Sequence, residues 1–159
     1  MRSPGRIPVL MWAPPPLLFV ISFLVGMGVQ RLAPLTIHSP GAIRASQLIG
    51  VGLFACGALL VLSCLALFLS ARTTVIPMGT ASKLVTRGPY SFTRNPMYLS
   101  MTLMYLGVVG MLVQPWSLLL LLVPLVILNS VVIPFEEERL RSVFGEAFDA
   151  YRARVRRWV

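Results

Sequence analysis

Three long stretches of this chain carry no charged side chain. They run between Arg6 and Arg31, between Arg44 and Arg72, and between Arg94 and Glu136. The last is 41 residues, Asn95 to Phe135. A soluble domain has about 25% charged residues spread over its surface; here the share is 12%. With a mean hydropathy of +0.82, the chain reads as one whose main solvent is lipid. As one helix at about 1.5 Å per residue the last run would reach about 61 Å, roughly twice a bilayer core of about 30 Å. Gln114-Pro115 lies near its middle, and proline removes a helix donor and turns the preceding residue away from helix. The pattern predicts two helices, about Met97–Val113 and Trp116–Ile133, joined by a tight turn. A re-entrant pair buried against the other helices is the competing geometry. Apolar stretches at Pro14–Val29 and Leu48–Leu69 supply two further spans. The expected fold is all-α, an integral membrane helical bundle of about four transmembrane helices.

Four spans place both termini on one side. Twelve basic residues then collect there: Arg2, Arg6, Arg72, Lys83, Arg87, Arg94, Arg139, Arg141, Arg152, Arg154, Arg156 and Arg157. Only Arg31 and Arg44 fall opposite. The positive-inside rule makes the crowded side cytoplasmic. The first run has the basic start of a signal peptide, but more membrane follows it, so it is expected to be retained as a span. The net charge of +9 flanks spans rather than forming a soluble basic face with interleaved aromatics, which argues against nucleic acid.

After residue 138 the apolar positions Leu140, Val143, Phe144, Phe148, Tyr151, Val155 and Trp158 recur at helical spacing, with arginines opposite. That predicts a cytoplasmic amphipathic helix in the headgroup region, bent or interrupted at Gly145. Gly50, Gly52 and Gly57 are candidates for close helix packing.

Several chemistries are excluded. All five acids lie after residue 135, so no carboxylate pair or carboxylate cage can be built before it. His38 stands alone, and Cys56 and Cys64 sit inside an apolar run. No protein-built metal site is expected.

Two polar islands touch the membrane on the basic side. The first is Arg87 to Tyr98. Gly88-Pro89 reads as a turn, and Pro96 as a helix start with Asn95 at its N-cap. Free amides at such a start, with Arg94 beside them, favour a carboxylate or other anion. The second island is Glu136-Glu137-Glu138. Three acids gain nothing from an anionic leaflet. Either they cap a helix that restarts after Pro134, or they attract a cationic ligand in a partly dry pocket. Asn129 lies seven residues before Glu136, on the same face if the helix is continuous, and is a candidate substrate-binding residue. The hairpin returns both islands to one face of the membrane.

These two islands resemble the two motifs of the isoprenylcysteine carboxyl methyltransferase family, to which phospholipid N-methyltransferases are similar. The first likeness is Gly88-Pro89-Tyr90 with Arg94-Asn95-Pro96-Met97-Tyr98-Leu99. The second is Glu136-Glu137, Leu140, Phe144-Gly145, Tyr151 and a basic tail ending Arg157-Trp158. The likeness covers residues 80–159, the motif-bearing core of a single membrane domain over 1–159. It implies a membrane methyltransferase that uses S-adenosylmethionine at the cytoplasmic face, on a lipophilic small molecule or lipid head group entering from the bilayer. It further implies that Gly88, Tyr90, Arg94, Asn95, Pro96, Tyr98 and Leu99 line the cofactor pocket, with Glu136 and Glu137 on the cofactor's amino group. Many members have His where this chain has Asn95. Asparagine does not titrate near neutral pH, so no catalytic base is assigned. Two rivals remain: a membrane reductase using NADPH, since some sterol reductases resemble this family in their C-terminal region, and a non-catalytic scaffold module.

Overall fold

A computed structural model describes residues 14–71 and 84–159. Arg2, Arg6, Arg72 and Lys83 of the charge argument lie outside the described residues. All regular structure among the described residues is helical. Helix α1 spans Pro15–Leu32 and α2 Pro40–Ala71. A 3-10 turn at Gly88–Ser91 leads to α3, Pro96–Leu112. Then come α4 (Pro115–Leu120), α5 (Leu122–Ile127), a π-turn at Leu128–Val132, α6 (Ile133–Phe144) and α7 (Glu146–Arg154). From α4 to α6 the chain forms one apolar rod of 30 residues, Pro115–Phe144. That rod, α1 and Pro40–Ser70 of α2 are each long and apolar enough to cross a membrane; α3 is apolar and shorter, at 17 residues.

Proline opens α1, α2, α3 and α4. At the first helical position its missing N–H has no partner to lose, and its φ is already helical. The expected hairpin is present between α3 and α4. Val113 adopts a left-handed φ of 51°. The Val113 N–H donates to Gly110 O (3.4 Å) and the Gln114 N–H to Val109 O (3.1 Å). This is a Schellman closure, in which the last carbonyls of α3 find donors.

Prolines inside the rod free carbonyls that other elements satisfy. Pro124 cannot donate to Leu120 O, and the Ser22 hydroxyl of α1 takes that carbonyl at 2.8 Å. The Ser117 hydroxyl donates to Phe23 O at 3.1 Å, and Trp116 Nε1 to Ala33 O at 2.7 Å. In lipid such bonds, with small residues at the crossing, hold helices together. A Cβ on Gly26 would lie 2.6 Å from the Ser117 Cα. The core gathers Phe19, Tyr98, Tyr105, Val109, Leu121, Leu128, Val132 and Ile133. Within it the buried Tyr105 hydroxyl donates to Ser117 O at 2.7 Å. Tyr105→Phe removes this bond but leaves the carbonyl its Leu121 N–H at 3.1 Å, and is expected to cost about 0.5–1.5 kcal/mol, read as a lower unfolding midpoint in detergent.

Three expectations are corrected. The helix does not restart after Pro134: the rod runs through it, because the π-turn absorbs the lost donor. Ile133 N–H reaches back five residues to Leu128 O. The C-terminal amphipathic segment is interrupted at Gly145 as expected, with a φ of 52° and ψ of −127° that suit glycine, but it does not lie free on the headgroups. Its apolar face turns inward, with Phe148 1% and Tyr151 4% exposed, so α7 packs on the protein itself. Gly50 and Gly57 do meet α3 at backbone distance, but a Cβ on Gly52 would touch nothing.

Candidate functional site

The hairpin brings the two polar islands together. The Tyr98 hydroxyl, in the first turn of α3, donates to Glu136 Oε1 of α6 at 2.5 Å. Glu137, one residue on, is 8% exposed. It accepts from Arg157, whose Nη2 lies 2.7 Å from Oε2 and whose Nε lies 3.2 Å from Oε1. It also pairs with Arg94 Nη2 at 3.2 Å. A fork-on-fork bond of this kind fixes orientation as well as charge.

The C-terminal tail straps this cluster. Arg94 N–H donates to Arg156 O at 2.9 Å. The Thr93 hydroxyl and the Asn95 side-chain amide both donate to Arg157 O, at 3.1 and 2.9 Å. Asn95 stands at the N-cap position of α3, but its side chain is spent on the tail and caps nothing. On the rod, Asn129 Oδ1 accepts from Arg157 Nη1 and Trp158 Nε1, each at 3.3 Å. Asn129 O, whose donor five residues on would be Pro134, lies 3.5 Å from Arg157 Nη1.

Behind the strap, the Tyr151 hydroxyl donates to Tyr90 O at 2.7 Å. The Tyr90 ring meets Phe68 of α2 edge to face at 5.7 Å. Burial pushes the Tyr151 phenol up to about 12, against a downward pull from Arg94. Burial likewise raises Tyr90, so both stay protonated at neutral pH. Gly88 turns the chain into this segment with φ +60°, a conformation that glycine adopts freely. Pro96 is fully buried, and Leu99 lines a groove with Thr102, Leu125, Val126, Asn129 and Trp158.

Two groups are left with bonding capacity. Arg94 has an 11% exposed side chain, and its buried Nε and Nη1 have no partner. Burial lowers its pKa, and Glu137 opposes that shift; Arg157 is raised instead, chiefly by its bond to Glu137. Among the described residues Glu136 is held through Oε1 alone. Buried donors without partners are rare in folded proteins and ask for an explanation. Sequence reasoning gave Glu136 and Glu137 one role; the structure engages Glu137 fully and leaves Glu136 half free. It also brings in Thr93, Tyr151 and Arg157, which carried no site assignment. The one signal for Arg157 was the basic tail ending Arg157-Trp158. Among the described residues no group of His, Cys, Asp or Glu could hold a metal ion.

A family model described as phospholipid methyltransferase matches residues 45–147, well over half of the chain. The chain belongs to that family. As a phospholipid methyltransferase family member it is a membrane methyltransferase, and its family acts on lipid-like substrates. The match includes both polar islands and the rod between them, and ends just before the strap. Among curated proteins nothing matches the chain, and nothing does among solved structures.

Proposed function

We propose that this protein transfers a methyl group from S-adenosylmethionine to a lipophilic acceptor at the cytoplasmic membrane face. The observation that carries the reading is the pair of unmet capacities in the cluster that the hairpin and the strap assemble. Arg94 offers two buried nitrogens without partners, and Glu136, the residue before Glu137, offers a carboxylate oxygen beyond the one that Tyr98 engages. The donor compound has a carboxylate for the first and an ammonium for the second. The residues therefore fit the group, and the amides of Met97 and Tyr98 at the α3 start add to the carboxylate side. When bound, the cofactor supplies a methyl group activated by its sulfonium.

The protein's own work is then placement, which in methyl transfer contributes several kcal/mol. Tyr98 orients the Glu136 carboxylate. Glu137, Arg157 and the strap hold Arg94 in position. Gly88, Tyr90, Pro96 and Leu99 wall the site, and Tyr90 and Tyr98 add cation–π attraction for a sulfonium. Asn95 ties the tail down rather than moving a proton. Glu137 is engaged by two guanidinium groups and does not serve as a base. The arrangement suits an acceptor that is nucleophilic as it stands, a carboxylate or a thiolate, as the likeness to the isoprenylcysteine enzymes suggests.

The test is calorimetric titration of the detergent-purified protein with S-adenosylhomocysteine, which keeps the ammonium and carboxylate, with NADPH in parallel. Saturable binding of the first alone is expected. Glu136→Gln should weaken it about ten-fold or more, since a hydrogen bond to a charged group contributes about 1.5–3 kcal/mol. NADPH binding alone would assign the protein to the reductases. Binding of neither by folded protein would leave a scaffold.

A further inference from the structure

Arg94 poses a steric question as well as an electrostatic one. Its Nε and Nη1 have no partner, and both atoms lie out of solvent. No ligand can bond to them until a neighbouring group moves. The groups that act on this guanidinium are Glu137 on the rod and Tyr151, Arg152 and Arg157 in the C-terminal segment. The Arg94 backbone N–H is itself covered by Arg156 O at 2.9 Å. Three neighbours of Arg94 are firmly held. Helix α3 starts on the fully buried Pro96 and meets α2 at backbone distance through Gly107. The rod is bonded to α1 through Ser22 and Ser117. Helix α7 is anchored by the buried Phe148 and Tyr151. The strap has no such anchor. Val155, extended at φ −119° and ψ 132°, ends α7. Beyond it, among the described residues, the strap's backbone is bonded only across to Thr93, Arg94 and Asn95. The Arg157 side chain is 30% exposed and Val159 is 77% exposed.

We propose that the strap, residues 156–159, is a lid over Arg94 that hinges after Val155, and that Thr93 and Asn95 latch it shut through Arg157 O. Opening presents Nε and Nη1 of Arg94 to an incoming carboxylate. Closing returns Arg157 to Glu137 above the ligand and keeps water out. The inference rests on the methyltransferase reading above for the ligand that enters, and adds to it how the site is reached. The latch is local. Arg157 O accepts from the Asn95 amide at 2.9 Å and from the Thr93 hydroxyl at 3.1 Å. When it lets go, Arg157 can turn into water, whereas Arg94, with an 11% exposed side chain, cannot. Asn95→Ala cuts the latch cleanly. It removes the amide bond but keeps the turn's own bonds, from Asn95 N–H to Thr93 Oγ1 and from Leu99 N–H to Asn95 O. A lid governs entry and exit alike, so a weaker latch speeds both. A side chain that touched the ligand would, on truncation, speed exit alone.

Two measurements on the detergent-purified full chain test this. The first needs no cofactor. Phenylglyoxal labels arginines, and mass spectrometry of singly modified protein at low extent reads the initial rate at each site. Arg94 reacts only when the lid is open. Asn95→Ala should speed its labelling about five-fold, which corresponds to about 1 kcal/mol, the net contribution of one hydrogen bond. The exposed Arg31 should label at the parent's rate. The second uses a Trp12→Phe/Trp116→Phe protein, which keeps Trp158 as its sole indole. Trp158 Nε1 is bonded to Asn129 Oδ1, so its fluorescence follows the strap. In stopped flow with S-adenosylhomocysteine the observed rate should level off as concentration rises, at the rate of lid opening. Asn95→Ala should raise both that plateau and the dissociation rate. Equal Arg94 labelling in parent and Asn95→Ala would overturn the latch. A rate that climbs in proportion to concentration, with Asn95→Ala changing dissociation alone, would overturn the lid and put Asn95 on the ligand. Labelling that responds as expected in a protein that binds no S-adenosylhomocysteine would leave the lid standing and remove the cofactor reading, so the two failures are distinguishable.

Discussion

Glu137→Gln is expected to remove about 3–5 kcal/mol of stability, the usual effect of deleting one partner from a buried ion pair. The size follows from what is left behind. Glu137 is 8% exposed and is the shared acceptor for Arg94 and Arg157. Arg94 already has two buried nitrogens without partners. With a neutral amide opposite, its remaining bond loses its charge, and the guanidinium stays largely out of water, with an 11% exposed side chain. Arg157 is 30% exposed and can turn outward, but doing so releases Asn129 and loosens the bonds from Thr93 and Asn95 to Arg157 O. The loss therefore extends beyond one pair to the whole strap. Chemical unfolding in detergent, followed by circular dichroism, measures it. The double variant Glu137→Gln/Arg157→Gln should be less destabilised than the sum of the singles, by about 0.5–3 kcal/mol, the range for directly coupled residues. A Glu137→Gln protein that unfolds at the parent's midpoint would mean that the cluster is solvated and the strap adds nothing.

The strap also marks where sequence reasoning stops. The charge-free runs and Gln114-Pro115 were enough for the helices and the hairpin, because lipid leaves a chain few choices and proline position is a strong local signal. Two islands one hairpin apart were enough to foresee that they would meet, as Tyr98 and Glu136 do. What could not be read was the partner of each acid. Glu136 and Glu137 are adjacent, yet a helix turns by about 100° between them, so one faces Tyr98 and the other faces the tail. Arg157 reaches Glu137 only because Gly145 reverses the chain and α7 folds back on Tyr90. That reversal depends on one backbone angle and on Phe148 and Tyr151 turning inward, which the same periodicity would equally serve in a surface helix. Pro134 misled for a related reason. Alone it argues for a break, but the π-turn before it carries the helix through, and Arg157 covers the carbonyl at Asn129.

The second large effect lies away from the site. Gly107→Leu should prevent α2 and α3 from packing. A Cβ at Gly107 would sit 2.7 Å from both Cβ and N of Phe54 and 2.8 Å from Gly50 O. Backbone atoms of α2 cannot move aside as a flexible side chain can, so the helices themselves must separate. The same seam includes Gly110, whose Cβ would meet Ser46 O at 2.9 Å, and whose carbonyl accepts the Ser46 hydroxyl at 3.1 Å. In lipid no hydrophobic drive restores the contact, since tails solvate the exposed surfaces as well as a helix does. Ordinary overpacking costs about 1–3 kcal/mol; with backbone as the obstacle, Gly107→Leu should exceed that range and fail to give folded protein. Gly107→Ala keeps the test quantitative, with an expected loss of about 1–3 kcal/mol. Gly52→Leu, on the open face of α2, should stay within about 0.5 kcal/mol. Because α3 begins with Pro96 and Tyr98, the Gly107→Ala protein should also bind S-adenosylhomocysteine less tightly, while Gly52→Leu binds as the parent does. Equal behaviour of the Gly52 and Gly107 variants would mean that α2 and α3 do not meet along this seam, and that the hairpin holds its Pro96 end in place without α2.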